Sequence, residues 1–140
     1  MLFKEEILIK AKPEYVYKHY ENVNAWKNWD HEVKESSING KFDNGTMGTL
    51  TPAKGPKAKF TLTEVNHKQS FSSVTKLPLC IMTFTHKLEE HDTHHTKATH
   101  TVSFTGVSRF IFGRLIGSQI QKSLPTTMKG LKKLCENSNE

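Results

Sequence analysis

The sequence predicts one α+β domain, an antiparallel sheet gripped by a single long C-terminal helix. Three observations carry this. Turn signals recur about every ten residues between Glu32 and Thr105. Two of the segments they bound alternate apolar and polar residues with period two, and after Gly106 one helical stripe runs to the end. At 140 residues the chain is long enough to bury a real core and too short for two, so residues 1–140 form one domain.

Leu2 to Ala11 mix Phe3, Ile7, Leu8 and Ile9 with Lys and Glu and read as a first strand. Pro13 suits the first position of a helix, where its missing N–H costs nothing, and Glu14 suits the positive helix end. That helix, about Pro13 to Tyr20, carries Val16, Tyr17 and Tyr20 on one side. A second short helical piece follows, in which Trp26 and Trp29 stand three apart and share a face.

Asn39-Gly40, Asn44-Gly45, the Pro52–Pro56 stretch, Asn66-His67, Leu77-Pro78 and Glu90–Thr93 punctuate the middle of the chain into short strands. No helical pattern interrupts them, which argues against a parallel sheet. Along Leu79–Leu88 one face is Cys80, Met82, Phe84, His86 and Leu88. Along His94–Phe104 one face is Ala98, His100, Val102 and Phe104, the other Lys97, Thr99, Thr101 and Ser103. A hairpin through Glu90–Thr93 points His86 and His100 to the same inner face.

The terminal stripe is Phe112, Ile116, Ile120, Leu124, Met128, Leu131 and Cys135, with Ile111, Leu115 and Leu134 expected to widen it. Pro125 removes one backbone hydrogen bond and is expected to kink the helix. Gly113 and Gly117 permit a close approach, and Arg114 between them excludes a membrane dimer motif.

The formal charge is +6, but eighteen of the twenty basic residues are Lys. Arg109 and Arg114 are the only arginines, so bidentate recognition has little to work with and no specific nucleic-acid binding is expected. Cys80 and Cys135 make no C-x-x-C pair and no disulfide framework. Acidic Glu5 and Glu6 occupy the place of a signal peptide's apolar stretch, and no apolar run approaches the ~20 residues of a membrane span. The expectation is a cytoplasmic, reduced protein without a membrane span.

Ala11-Lys12-Pro13-Glu14-Tyr15-Val16-Tyr17 after the first strand, Trp26-Lys27-Asn28-Trp29-Asp30, Gly40-Lys41-Phe42, Gly45-Thr46-Met47-Gly48, and Gly106 leading into the terminal helix occur in a telling order. Together they resemble the START and birch-pollen-allergen (Bet v 1-like) superfamily, in its polyketide cyclase/dehydrase-like (SRPBCC) group. The resemblance covers nearly the whole chain. It implies a helix-grip fold: a curved seven-stranded antiparallel sheet, two short helices after the first strand, and a long C-terminal helix. It also implies a deep cavity between sheet and helix that takes sterols, lipids, polyketides or other hydrophobic molecules. The group shares no catalytic motif, so no catalytic residue is carried over and fold alone does not decide function.

On this reading the partner is a hydrophobic small molecule or lipid. Phe60, Leu62, Met82, Phe84 and Val102 line its site from the sheet, and Phe112, Ile116, Ile120 and Leu124 from the helix. Trp26 and Trp29 are either walls of the pocket mouth or core plugging one end of the sheet. His86 and His100 are its polar anchors, or else histidines satisfied within the core. Asp30 reads as a turn or cap residue. His91, His94 and His95 lie nearby, but His94 and His95 face opposite ways and His91 falls in the turn, so neither metal nor another cofactor is expected. The alternatives are a cyclase or dehydratase using a pocket histidine as general acid/base, and an interaction module using the basic residues Lys122, Lys129, Lys132 and Lys133. Whether the chain is an enzyme stays open at this point.

Overall fold

In a computed structural model, which describes residues 1–138, alternation along the strands Leu2–Ile9, Ala58–Asn66 and Thr96–Thr105 gives the sheet an inner, drier face. β1 (Leu2–Ile9) exposes Lys4 and Glu6 and turns Phe3, Glu5, Ile7 and Ile9 inward. α1 (Pro13–Glu21) starts on Pro13, carries Glu14 in its first turn, and buries Val16, Tyr17 and Tyr20. A 3-10 turn over Val23–Asn28 buries Val23 and Trp26.

Six more strands follow: β2 (Val33–Ile38), β3 (Met47–Pro52), β4 (Ala58–Asn66), β5 (Ser70–Leu77), β6 (Cys80–Glu90) and β7 (Thr96–Thr105). Together with β1 they form a seven-stranded antiparallel sheet in the order β1-β7-β6-β5-β4-β3-β2. Register shifts between Val33 and Glu35 and between Thr63 and Asn66 mark bulges, the second with Glu64 at φ 48°. Bulges bend a strand and strengthen its twist, which helps to curl the sheet around its dry face.

The turn signals need one correction: Asn39-Gly40 and Asn44-Gly45 do not mark separate turns. Both lie in the single β2–β3 connection, which also buries Phe42 against Tyr17 and Phe71. The β6–β7 turn is residues 91–95, where Asp92 Oδ1 accepts hydrogen bonds from the His94 and His95 backbone N–H groups, both at 2.8 Å.

The terminal segment is α2 (Arg109–Phe112), a π turn over Gly113–Gly117, and α3 (Ser118–Ser138). This corrects the expectation of one continuous helix distorted at Pro125, and the spacing of the stripe supplies the physical reason. Each interval of four overshoots a 3.6-residue turn by about 40°, so four in succession cannot hold one face of an ideal α-helix. A π turn takes up the excess. The departure from α geometry therefore falls at Gly113–Gly117, while the α-helical run continues through Pro125. Ile111 and Leu115 do not widen the buried stripe; both are exposed.

Gly113 and Gly117 are buried because Met1 and β1 press on them: a Cβ would overlap the Met1 side chain at the first and the Phe3 ring at the second. At Gly130 it would overlap the Trp29 carbonyl oxygen, so α3 lies directly on the end of the 3-10 turn. The core falls into two clusters. One gathers α1, the two tryptophans, Phe60, Leu62, Phe71 and the C-terminal half of α3. The other is smaller: Cys80, Val102 and Phe104 with partly buried Phe3, Leu77, Met82, Phe84, Phe112, Ile116 and Ile120.

Candidate functional site

β6 lies between β5 and β7, near the middle of the sheet, so its inward side chains should be the best covered. They are not. Val102 and Phe104 on β7 are 0% and 1% exposed, yet their cross-strand partners Phe84 and Met82 are only half-buried. His86, the next inward residue, is half-buried as well. Above them Phe112, Ile116 and Ile120 are also half-buried, whereas Leu124, Met128, Leu131 and Cys135 further along the helix are buried. Coverage therefore fades toward the N-terminal end of the helix. On the β5 side the floor turns polar: Ser73 pairs with Phe84 and Thr75 with Met82.

At the inner end of this space the imidazoles meet. His86 and His100 are register partners with ring centroids 4.4 Å apart. Phe71 stacks on His86 at 4.2 Å and nearly parallel, and Trp29 lies 5.9 Å from His100. The Tyr20 hydroxyl and His100 Nε2 share a 2.7 Å hydrogen bond, and Trp26 Nε1 donates to the Tyr20 carbonyl at 2.9 Å. Burial pushes His86 down to about 3, with the Phe71 backbone partly opposing it, and lowers His100 with help from neighbouring His86. Burial likewise holds Tyr20 protonated. All three groups are neutral at physiological pH.

Two buried polar atoms in this cluster have no hydrogen-bond partner among the described residues: His86 Nδ1 and Trp29 Nε1. A neutral imidazole offers one donor and one acceptor, and an indole N–H only donates. Left unmet, each costs about 1–3 kcal/mol, so a hydroxyl, a carbonyl or a water is the natural complement.

The thirteen sequence-predicted residues thus divide. Trp26, Trp29, Phe60 and Leu62 belong to the larger core, with Trp26 stacked 5.6 Å from Phe60. Met82, Phe84, Phe112, Ile116 and Ile120 are the partly buried side chains packed around buried Val102 in the smaller cluster, and Leu124 is buried further along the helix. His86 and His100 stand between the two groups, touching Tyr20 and Phe71. Sequence reasoning missed Tyr20 and Phe71 as members of the site, as well as the Ser73–Thr75 floor. Glu5 is the register partner of His100 on β1 and so lies on the inner face. Period two along β1 was the available signal for Glu5.

Asp30 is a turn residue: its Oδ1 accepts from the Glu32 backbone at 3.0 Å and the Thr127 hydroxyl at 3.1 Å, while burial raises its pKa. Among the described residues no three metal-ligating side chains converge, and His95 Nδ1 sits 3.0 Å from Asp92 Oδ1. Lys132 is tied down, donating to the Leu8 carbonyl and pairing with Glu136 at 2.6 Å. Two surface concavities, of about 320 and 650 Å³, lie elsewhere and touch none of the predicted lining. No helix among the described residues is long and apolar enough to cross a membrane.

The family model described as polyketide cyclase/dehydrase and lipid transport matches residues 2–136. The chain belongs to this family. A search of curated proteins finds no match. Among solved structures, an aromatase/cyclase from Streptomyces is similar with a TM-score of 0.80 at 9% identity, over 100% of this chain and 96% of that one. A norcoclaurine synthase point mutant from Thalictrum flavum, in complex with a transition-state analogue, gives 0.74 at 12% over 100% and 96%. A Thermus thermophilus protein gives 0.76 at 16% over all of both chains. At these identities the likeness establishes the fold: this family member has the Bet v 1-like helix-grip architecture, a curled seven-stranded sheet closed by the C-terminal helix.

Proposed function

We propose that this protein binds a hydrophobic small molecule or lipid between the inner face of β5–β7 and the α2–α3 segment, with His86 as its polar anchor. The observation that carries this is the incomplete burial of Met82 and Phe84 near the middle of the sheet, under half-buried Phe112, Ile116 and Ile120. Large apolar side chains left half-covered on two facing surfaces gain from an apolar occupant, roughly 25 cal/mol for each Å² removed from water. His86 Nδ1 and the Ser73–Thr75 floor would orient it.

Binding without chemistry is favoured over the cyclase or dehydratase reading. A general base works best with a pKa near the operating pH, and an imidazole pushed down to about 3 is a weak proton acceptor. His100, the other candidate, is already bonded to Tyr20. That the aromatase/cyclase and norcoclaurine synthase share the fold shows only that the architecture can house catalysts.

Native mass spectrometry of the protein as purified from cells, with identification of what is released on denaturation, tests the reading. The expected result is an organic-extractable molecule, and uptake of anilinonaphthalene sulfonate by the stripped protein. Ile116→Trp should block that uptake by filling the space while leaving the fold intact. A protein that carries nothing and takes up no dye would overturn it.

A further inference from the structure

A second apolar surface lies outside the sheet–helix interface. At the end of the molecule where α2 begins, large apolar side chains point into solvent from three separate segments. Leu79, at the β5–β6 turn, is 74% exposed; Val107, in the loop after β7, is 81% exposed; Phe110, Ile111 and Leu115 project from α2 and the π turn. They are held together as a unit. The Ser108 backbone N–H donates to the Leu79 carbonyl at 3.1 Å, and its hydroxyl donates to the Pro78 carbonyl.

Leu79 is the informative member. It has φ 56°, the left-handed region that favours glycine or asparagine, in a turn whose preceding residue is Pro78. A leucine there carries backbone strain and buries almost nothing in return. Strain without a packing reward points to a use outside the fold.

The charges say what kind of use. Both arginines of the chain, Arg109 and Arg114, are exposed among these side chains, with Arg109 lying 4.4 Å over the Phe110 ring. Lys76 is exposed near the β5–β6 turn, as cross-strand partner of Ile81. No Asp or Glu occurs between Lys97 and Cys135, between Val65 and Lys87, or in Met1–Lys4. Those are the segments that build this end of the molecule.

We infer that the Leu79–Val107–α2 end docks on an anionic lipid bilayer, its apolar tips entering the interface and its arginines meeting the headgroups. Apolar residues rimmed by basic ones, with no acidic neighbour, match such a surface in both respects. A second copy of this chain is a poorer occupant, because it would set arginines against arginines.

The test is co-sedimentation of the whole protein with phosphatidylcholine vesicles, and with vesicles containing an equal share of phosphatidylserine. The protein should partition to the anionic vesicles, more weakly as salt rises. Arg114→Gln should lower partitioning roughly fivefold, the scale of one surface charge. Leu79→Asn should lower it while leaving Tm unchanged or raised, since asparagine accepts the left-handed backbone; loss of binding through misfolding would lower both. Equal binding to neutral and anionic vesicles would overturn the inference, as would no binding at low salt. Self-association abolished by these variants, without vesicle binding, would assign the patch to a second copy instead.

Discussion

His86 and His100 face each other across β6 and β7 with their rings 4.4 Å apart, and burial keeps both neutral. The pair ties stability to pH in one direction. In the unfolded chain each imidazole takes up a proton below about pH 6.5. In the fold His86 does so only near 3. Their stabilisation is therefore fully present above about pH 6.5 and declines as the pH falls, by about 1.4 kcal/mol per pH unit for each histidine. His19, also lowered by burial, adds in the same direction. Urea unfolding between about pH 7 and about pH 5 should show the decline, and His86→Phe should make it shallower.

Tyr20→Phe removes the hydroxyl that meets His100 Nε2 and leaves a buried imidazole short of a partner. The expected cost is about 1–3 kcal/mol in denaturant unfolding, with no change in fold by circular dichroism.

Glycine substitutions should separate sharply by what each Cβ would meet. At Gly113 it meets the Met1 side chain, a flexible thioether at the chain terminus, and alanine's higher helix propensity works in its favour. Gly113→Ala should stay within about 1 kcal/mol of the parent in thermal unfolding. At Gly130 the obstacle is the Trp29 backbone carbonyl, which cannot turn aside. Gly130→Ala should lose about 1–3 kcal/mol or more, by pushing α3 off the 3-10 turn.

Truncations across the sheet offer a further check on the uncovered space. Phe104→Ala empties a fully buried site and should cost about 3–5 kcal/mol. Phe84→Ala, one strand away but half-buried, should cost less than about 2 kcal/mol. Equal losses would mean that Phe84 is as tightly packed as Phe104.

Much of the frame was legible in the sequence because it rests on short-range periodicity. The alternation Ala98–His100–Val102–Phe104 put His100 inward, and β6 pairs so that His86 meets it. The contacts that make the site were not legible, because they join distant residues. Tyr20 reaches His100 across eighty positions, and Phe71 stacks on His86 only through the β5–β6 register. Nor does hydrophobicity tell Phe84 from Phe104. Their different burial depends on where the helix crosses the sheet, and no local pattern records that.

The π turn at Gly113–Gly117 also constrains how the chain can change in length. A π turn holds one residue more than the α turn it replaces, so deleting one residue there would restore α geometry and keep α2 and α3 in nearly the same phase. Phe112 would stay packed against the smaller core cluster. Deleting a residue from the α-helical part of α3 would instead swing everything before it by about 100° and turn Phe112 away from the sheet. Length can thus change by one residue at the π turn without re-phasing the apolar pattern on either side.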